Sequence, residues 1–245
     1  MIPFTPGIFK LSLRQLIGRH RLLLLAFIVL LAAVPALIAF LIQLAPTLST
    51  SELQTTAGQL YDGLILAFVL PVIALILSGT VLREEIQAQT INYLVLKPIS
   101  RAAIVFSKWA AVAVIALPLS ALSILSTSVL LKSDSISVFL ASGLLATLAY
   151  LSLFFLLSLL VDRVLIAGFA FLLVWEGVVA NFSKLASLLS VHVYAKNIEQ
   201  ALLNANQPPE IPLLNSVITL VAITFLSLAL ASWKLAKMEF PGSSE

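Results

Sequence analysis

Long apolar runs and short polar breaks set the pattern of this chain. Six runs reach the roughly 20 residues that cross a bilayer as a helix: residues 22–44, 60–82, 103–131, 136–161, 164–182 and 213–233. The break between the fourth and fifth rests on Asp162 and Arg163 alone. Pro35, Pro71 and Pro118 fall inside the first three runs. Neighbouring helices can satisfy the backbone groups that such prolines free. The pattern predicts an all-α membrane protein of six transmembrane helices, organised as a single transmembrane domain over residues 1–245.

The polar segments between the runs differ in kind. In residues 1–20, Phe9, Leu13, Leu16 and Ile17 recur at helical spacing beside Lys10, Arg14 and Arg19. That combination suits an amphipathic elbow helix lying in the headgroup layer. A cleaved signal peptide is the competing reading. It is disfavoured by the length of the apolar run and the lack of a clear small-residue cleavage site. Residues 45–59 resemble an exposed loop. Residues 83–102 form the main charged interruption. Residues 183–211 are a longer polar loop with amphipathic helix character over 188–203, closed by Pro208, Pro209 and Pro212.

Composition agrees with a bilayer as the main solvent. Of 245 residues 61% are hydrophobic and only 10% charged, against about 25% charged in soluble domains. There is no cysteine, which excludes disulfides and thiolate metal sites. Eleven of the 14 Lys and Arg residues fall in segments on the side of the N-terminus. Lys132, Lys184 and Lys196 fall on the other side. The positive-inside rule then places both termini in the cytoplasm, in the inner (plasma) membrane of the cell. The net charge of +3 is this bias, and it gives no reason to invoke nucleic acid.

The interruption after the second run has its own order. Arg83, Glu84 and Glu85 leave the membrane, and Ile86, Thr90, Ile91, Leu94 and Val95 then fit one face of a short helix. Lys97 precedes Pro98, which biases it away from helix. Ser100 is placed to cap the next helix, and Lys108 with Trp109 to anchor that helix at headgroup level. The segment reads as a cytoplasmic loop through which the membrane part receives work from a partner. An ordinary interfacial loop is the plainer reading of the same residues.

Other chemistry is sparse. Glu176 is the one carboxylate well inside a predicted span, roughly 9 Å from its outer end at 1.5 Å per residue. It is expected to face protein or water, either on a translocation path or as a packing or gating group. Asp162 and Arg163 read as a solvated turn, and His20 and His192 as surface or packing residues. Asn181–Phe182–Ser183 fits the glycosylation pattern by chance. No metal site and no catalytic constellation is visible. The chain has no G-x-x-x-x-G-K-[ST] phosphate loop, so nucleotide must be handled by another polypeptide.

The order Glu84, Glu85, Thr90, Leu94, Leu96, Pro98, Ile99, Ser100, Arg101, Lys108 resembles the permease subunits of type-2 ABC exporters. So do Trp175–Glu176–Gly177, followed by Ser190, Val191 and Tyr194. Gln89 stands where members usually have Gly. The resemblance implies that Glu84, Glu85, Thr90, Ile91, Leu94, Leu96, Pro98, Ser100 and Arg101 form a coupling helix and its join, docked on a separate cytoplasmic ABC ATPase. It further implies a second permease copy, identical or related, completing the pathway. The cofactors, ATP and magnesium, would be bound by the partner and none by this chain. A stand-alone secondary transporter is the alternative, and an intramembrane enzyme the third reading. The apolar, hydroxyl-bearing spans suit a lipid, hydrophobic peptide or amphipathic drug as substrate.

Overall fold

The computed structural model describes residues 6–16, 22–44, 49–87, 100–179, 190–203 and 211–237, and every element among them is helical. In chain order these are α1 (Pro6–Leu16), α2 (Leu22–Gln43), α3 (Thr50–Leu60), a π-helical segment (Tyr61–Val69) and α4 (Leu70–Gln87). There follow α5 (Arg101–Leu130), α6 (Ile136–Leu160), α7 (Val164–Ala170), a second π-helical segment (Phe171–Val179), α8 (Val191–Leu203) and α9 (Leu213–Lys237). Five stretches are long and apolar enough to cross a membrane: Ala26–Gln43, Ser51–Gly79, Arg101–Leu130, Ile136–Leu160 and Leu213–Lys237. The predicted fifth span corresponds to Val164–Gly177, which is apolar but shorter.

Residues 45–59 are not simply an exposed loop. From Thr50 they are helix α3, which runs without a break through the first π-helical segment into α4. A capping box starts it. Ser49 Oγ accepts from the Glu52 N–H at 3.4 Å, and the Ser49 N–H donates to Glu52 Oε2 at 2.7 Å. This closes two of the backbone donors that a helix start leaves open. Leu53, Ala57 and Tyr61 then recur every four residues on one buried face. The Thr and Gln residues between them hid that stripe. The first π-helical segment ends at Val69, two residues before Pro71, with the Leu70 N–H donating to the Ile65 carbonyl five residues back. Proline has no N–H to continue an α ladder and crowds the carbonyl four residues before it. A widened turn is one way to absorb that conflict.

Helix α6 is the centre of the bundle, packed against α4, α5 and α9. Its inner face carries small residues, Ser142, Gly143, Ala146, Thr147 and Ala149, all buried. Lipid tails are as apolar as the helices, so close approach and hydrogen bonds hold membrane helices together. A Cβ at Gly143 would lie 2.6 Å from Ile124 Cδ1 and 3.1 Å from the Tyr61 hydroxyl. Tyr61 stacks on Phe139 at 4.4 Å, and its hydroxyl is 2.6 Å from Ser142 Oγ. Thr147 Oγ1 donates to Ser120 Oγ at 3.2 Å, and Ser78 Oγ to the Leu151 carbonyl at 3.2 Å. Helices α5 and α6 are joined by a tight turn in which Lys132 takes the left-handed conformation, φ 52°.

At the other end of the bundle α1 packs on α5. Ile8 joins a cluster with Ile104, Val105, Phe155, Leu159 and Leu235. Lys108 is fully buried among these helices, because the first turns of α5 are covered by α1 and by the end of α9. Trp109 is half-buried, its ring 5.7 Å from that of Phe106.

Candidate functional site

Two regions carry the chemistry. The first is the loop before α5. Ser100 adopts extended backbone, φ −63° and ψ 141°, and its Oγ accepts from the Ala103 N–H at 3.3 Å, so it caps α5. Arg101 is the first residue of α5, half-buried, and one of its guanidinium nitrogens has no hydrogen-bond partner among the described residues. Glu84 and Glu85 lie within the helical backbone of α4. Thr90, Ile91, Leu94, Leu96 and Pro98 lie outside the described residues.

The second region is at the opposite end and centres on Glu176. This glutamate belongs to the second π-helical segment and is 9% exposed. Its carboxylate accepts from the Ser190 hydroxyl and, at 3.1 Å, from the Val191 N–H. Ser190 Oγ also accepts from the Val193 N–H at 3.2 Å. A carboxylate at the start of a helix meets backbone donors with no partner of their own. Glu176 thus holds the first turn of α8. The Tyr150 hydroxyl of α6 lies beside it. Of the two surroundings expected for Glu176, protein or water, it faces protein, and its hydrogen-bond donors come from the start of α8.

A second carboxylate was not foreseen. Asp62 stands in the first π-helical segment. Lys196 Nζ pairs with its Oδ2, and His192 Nε2 lies 3.1 Å from its Oδ1. His192 is therefore a polar neighbour of Asp62 rather than a plain packing residue. Glu199, one turn beyond Lys196 on α8, is buried. Burial pushes its carboxyl up to about 8, the negative charge of Asp62 adding and Lys196 opposing. Asn197 closes the other side of α8: its Nδ2 donates to the Ile211 carbonyl at 2.7 Å and to Ser216 Oγ at 2.8 Å. The available signal was the four-residue spacing of His192 and Lys196 on an amphipathic stretch. Nothing in the sequence pointed it at Asp62, 130 residues away.

Between the two π-helical segments lies a cavity of about 320 Å³. Gly63, Ala67 and Phe68 line one side and Phe169, Leu172 and Leu173 the other. Glu176 and His192 are its ionisable lining. Such a space accepts an apolar body and offers hydrogen bonds at one edge. Among the described residues no three His, Asp or Glu side chains gather as a metal ligand set.

No curated protein matches the chain. The sequence profile of the ABC-2 family transporter proteins matches residues 17–198, from just before the first apolar run to within α8, taking in the segment before α5 and Asp62, Glu176, His192 and Lys196. With most of its length matched, the chain belongs to the ABC-2 family of transporter proteins.

Proposed function

We propose that the chain is the membrane-spanning permease subunit of an ATP-driven exporter. A separate cytoplasmic ABC ATPase supplies the energy, and a second permease copy completes the pathway. The observation that carries this reading is the family match across residues 17–198, in a chain that itself lacks a phosphate loop. In the proposed arrangement Val164–Gly177 and the residues after it complete a sixth span, and α1 is the interfacial elbow. Residues 83–102 face the cytoplasm, where Ile91, Leu94 and Leu96 enter a groove of the ATPase. Glu84, Glu85, Thr90 and Arg101 set the register there. Pro98 and the Ser100 cap stiffen the join to α5, so that a push on the loop becomes movement of a span. ATP and magnesium sit on the partner. Glu176 and Asp62 stand at the outer end of the pathway, and the substrate is apolar or amphipathic.

The test is purification of the tagged chain from native membranes. An ABC ATPase is expected to accompany it. Leu94→Asp with Leu96→Asp is expected to remove the ATPase while membrane insertion stays intact. Survival of the complex in that variant would overturn the docking face, and absence of any ATPase would overturn the reading.

One observation favours a second reading. Asp62 and Glu176 are ionisable groups in two helices whose turns widen to π-helix, and ionisable groups at irregular turns of spanning helices are a feature of ion-coupled transporters. Substrate movement along an ion gradient by the purified chain alone, in liposomes, would select it.

A further inference from the structure

Each π-helical segment carries one carboxylate, and both carboxylates hold the same short helix. Glu176 holds Ser190 and Val191, and Asp62 holds His192 and Lys196. Seven consecutive residues, 190–196, therefore tie one segment to the other across the cavity that separates them. His192 lines that cavity and pairs with Asp62 at once. The start of α8 is thus a strap over the gap.

The two ends of the strap differ in their surroundings. Glu176 is 9% exposed, and Ser190 and Val191 are fully buried. The side chains of Asp62, His192 and Lys196 are 25%, 22% and 40% exposed. Breaking a buried charged contact strands a charge away from water and is strongly disfavoured. A part-exposed pair trades its partner for water at little cost. We infer that α8 is a latched strap: Glu176 is its fixed anchor, and the Asp62 contact with His192 and Lys196 is the end that releases, widening the cavity between the two π-helical segments.

The release is local. Lys196 is followed at once by Asn197, whose bonds to Ile211 and Ser216 hold the later turns of α8 against α9. Val191, Tyr194, Ala195 and Ile198 stay in the core cluster. Opening therefore means the first π-helical segment drawing away from α8, with the rest of the helix in place. Gly63, on the wall that moves, is exposed already, and half-buried Ala67 beside it would become more reachable. That the cavity then opens outward rests on the orientation proposed above, but the strap itself does not.

The chain has no cysteine of its own, so Ala67→Cys gives a single thiol on the cavity wall. The probe is a membrane-impermeant maleimide applied to the full-length protein in detergent, where both faces are open to reagent. The unaltered strap sets the basal rate at this half-buried position. Asp62→Asn and Lys196→Met should each speed labelling by about three- to fivefold, in keeping with the loss of one part-exposed charged contact. Asp62→Lys combined with Lys196→Asp, which restores the pair with its signs exchanged, should slow it again. Glu176→Gln, which still offers an acceptor oxygen to Ser190 and Val191, should change it less than twofold. Unchanged labelling in both Asp62→Asn and Lys196→Met would overturn the latch. A Glu176→Gln effect as large as theirs would overturn the assignment of its releasing end. Lys196 stands on the outer side of α8, so its variant carries the test if Asp62→Asn fails to insert. Repeating the labelling on sealed spheroplasts reads the orientation separately. Reaction only after permeabilisation would count against the proposed topology and leave the strap standing.

Discussion

Glu199 is the residue whose surroundings make the sharpest demand. Its ordinary value is 4.5, and in place on α8 its carboxyl is raised to about 8. Below about pH 4.5 it is protonated whether or not α8 is docked, and docking is unaffected. Between 4.5 and 8 the released helix would lose the proton while the docked helix keeps it, so docking weakens as pH rises. Above about 8 the loss is complete. The effect is bounded by one proton, so it reaches at most about tenfold per pH unit. A thiol at Ile198→Cys, buried on α8, should label faster relative to one at Leu202→Cys, exposed on the same helix, as pH rises from 6 to 8. Glu199→Gln should flatten that ratio. The sequence made Glu176 legible because a lone carboxylate in an apolar run must find a partner. It left Asp62 and His192 unread because their value lies in meeting each other. A contact between residues so distant in the chain leaves no periodicity behind.

Among elements, the long apolar helices were legible and the polar helix was not. The predicted runs and the observed α5, α6 and α9 agree closely at their starts, since bilayer thickness fixes a length that composition reveals. Helix α3 escaped because its stripe of Leu53, Ala57 and Tyr61 is thin and its other faces are Thr, Gln and Gly. Its capping box, Ser49 with Glu52, was the available clue. The contact of α7 with α4 depends on Gly168. A Cβ there would come within 2.1 Å of Leu75 Cδ1, on a leucine that is fully buried. Gly168→Ala must therefore displace Leu75 or part the helices, at about 1–3 kcal/mol. A lowered melting temperature is expected in detergent, and adding Leu75→Ala should recover part of it. Recovery by the second change would separate crowding from a general loss of helix stability.

At the scale of the whole molecule, the tight turns at the two ends of α6 lie on opposite sides of the bundle. Its 25 residues span about 37 Å at 1.5 Å each, more than the roughly 30 Å of hydrocarbon. Thiols placed at Lys132→Cys and Asp162→Cys should therefore react from opposite faces of sealed cells, the first from outside and the second only after permeabilisation. Equal reaction from one face would remove the crossing of α6 and with it the proposed orientation.

The continuous helix from Thr50 to Gln87 has a mechanical meaning in that frame. Asp62 lies 25 residues from the Gln87 end, an arm of about 37 Å. On such a lever, a tilt of about 5° at the loop end carries Asp62 roughly 3 Å sideways. That is enough to part an oxygen and an imidazole nitrogen that begin 3.1 Å apart, so a stroke delivered at one surface of the membrane needs no relay of side chains to be felt at the other.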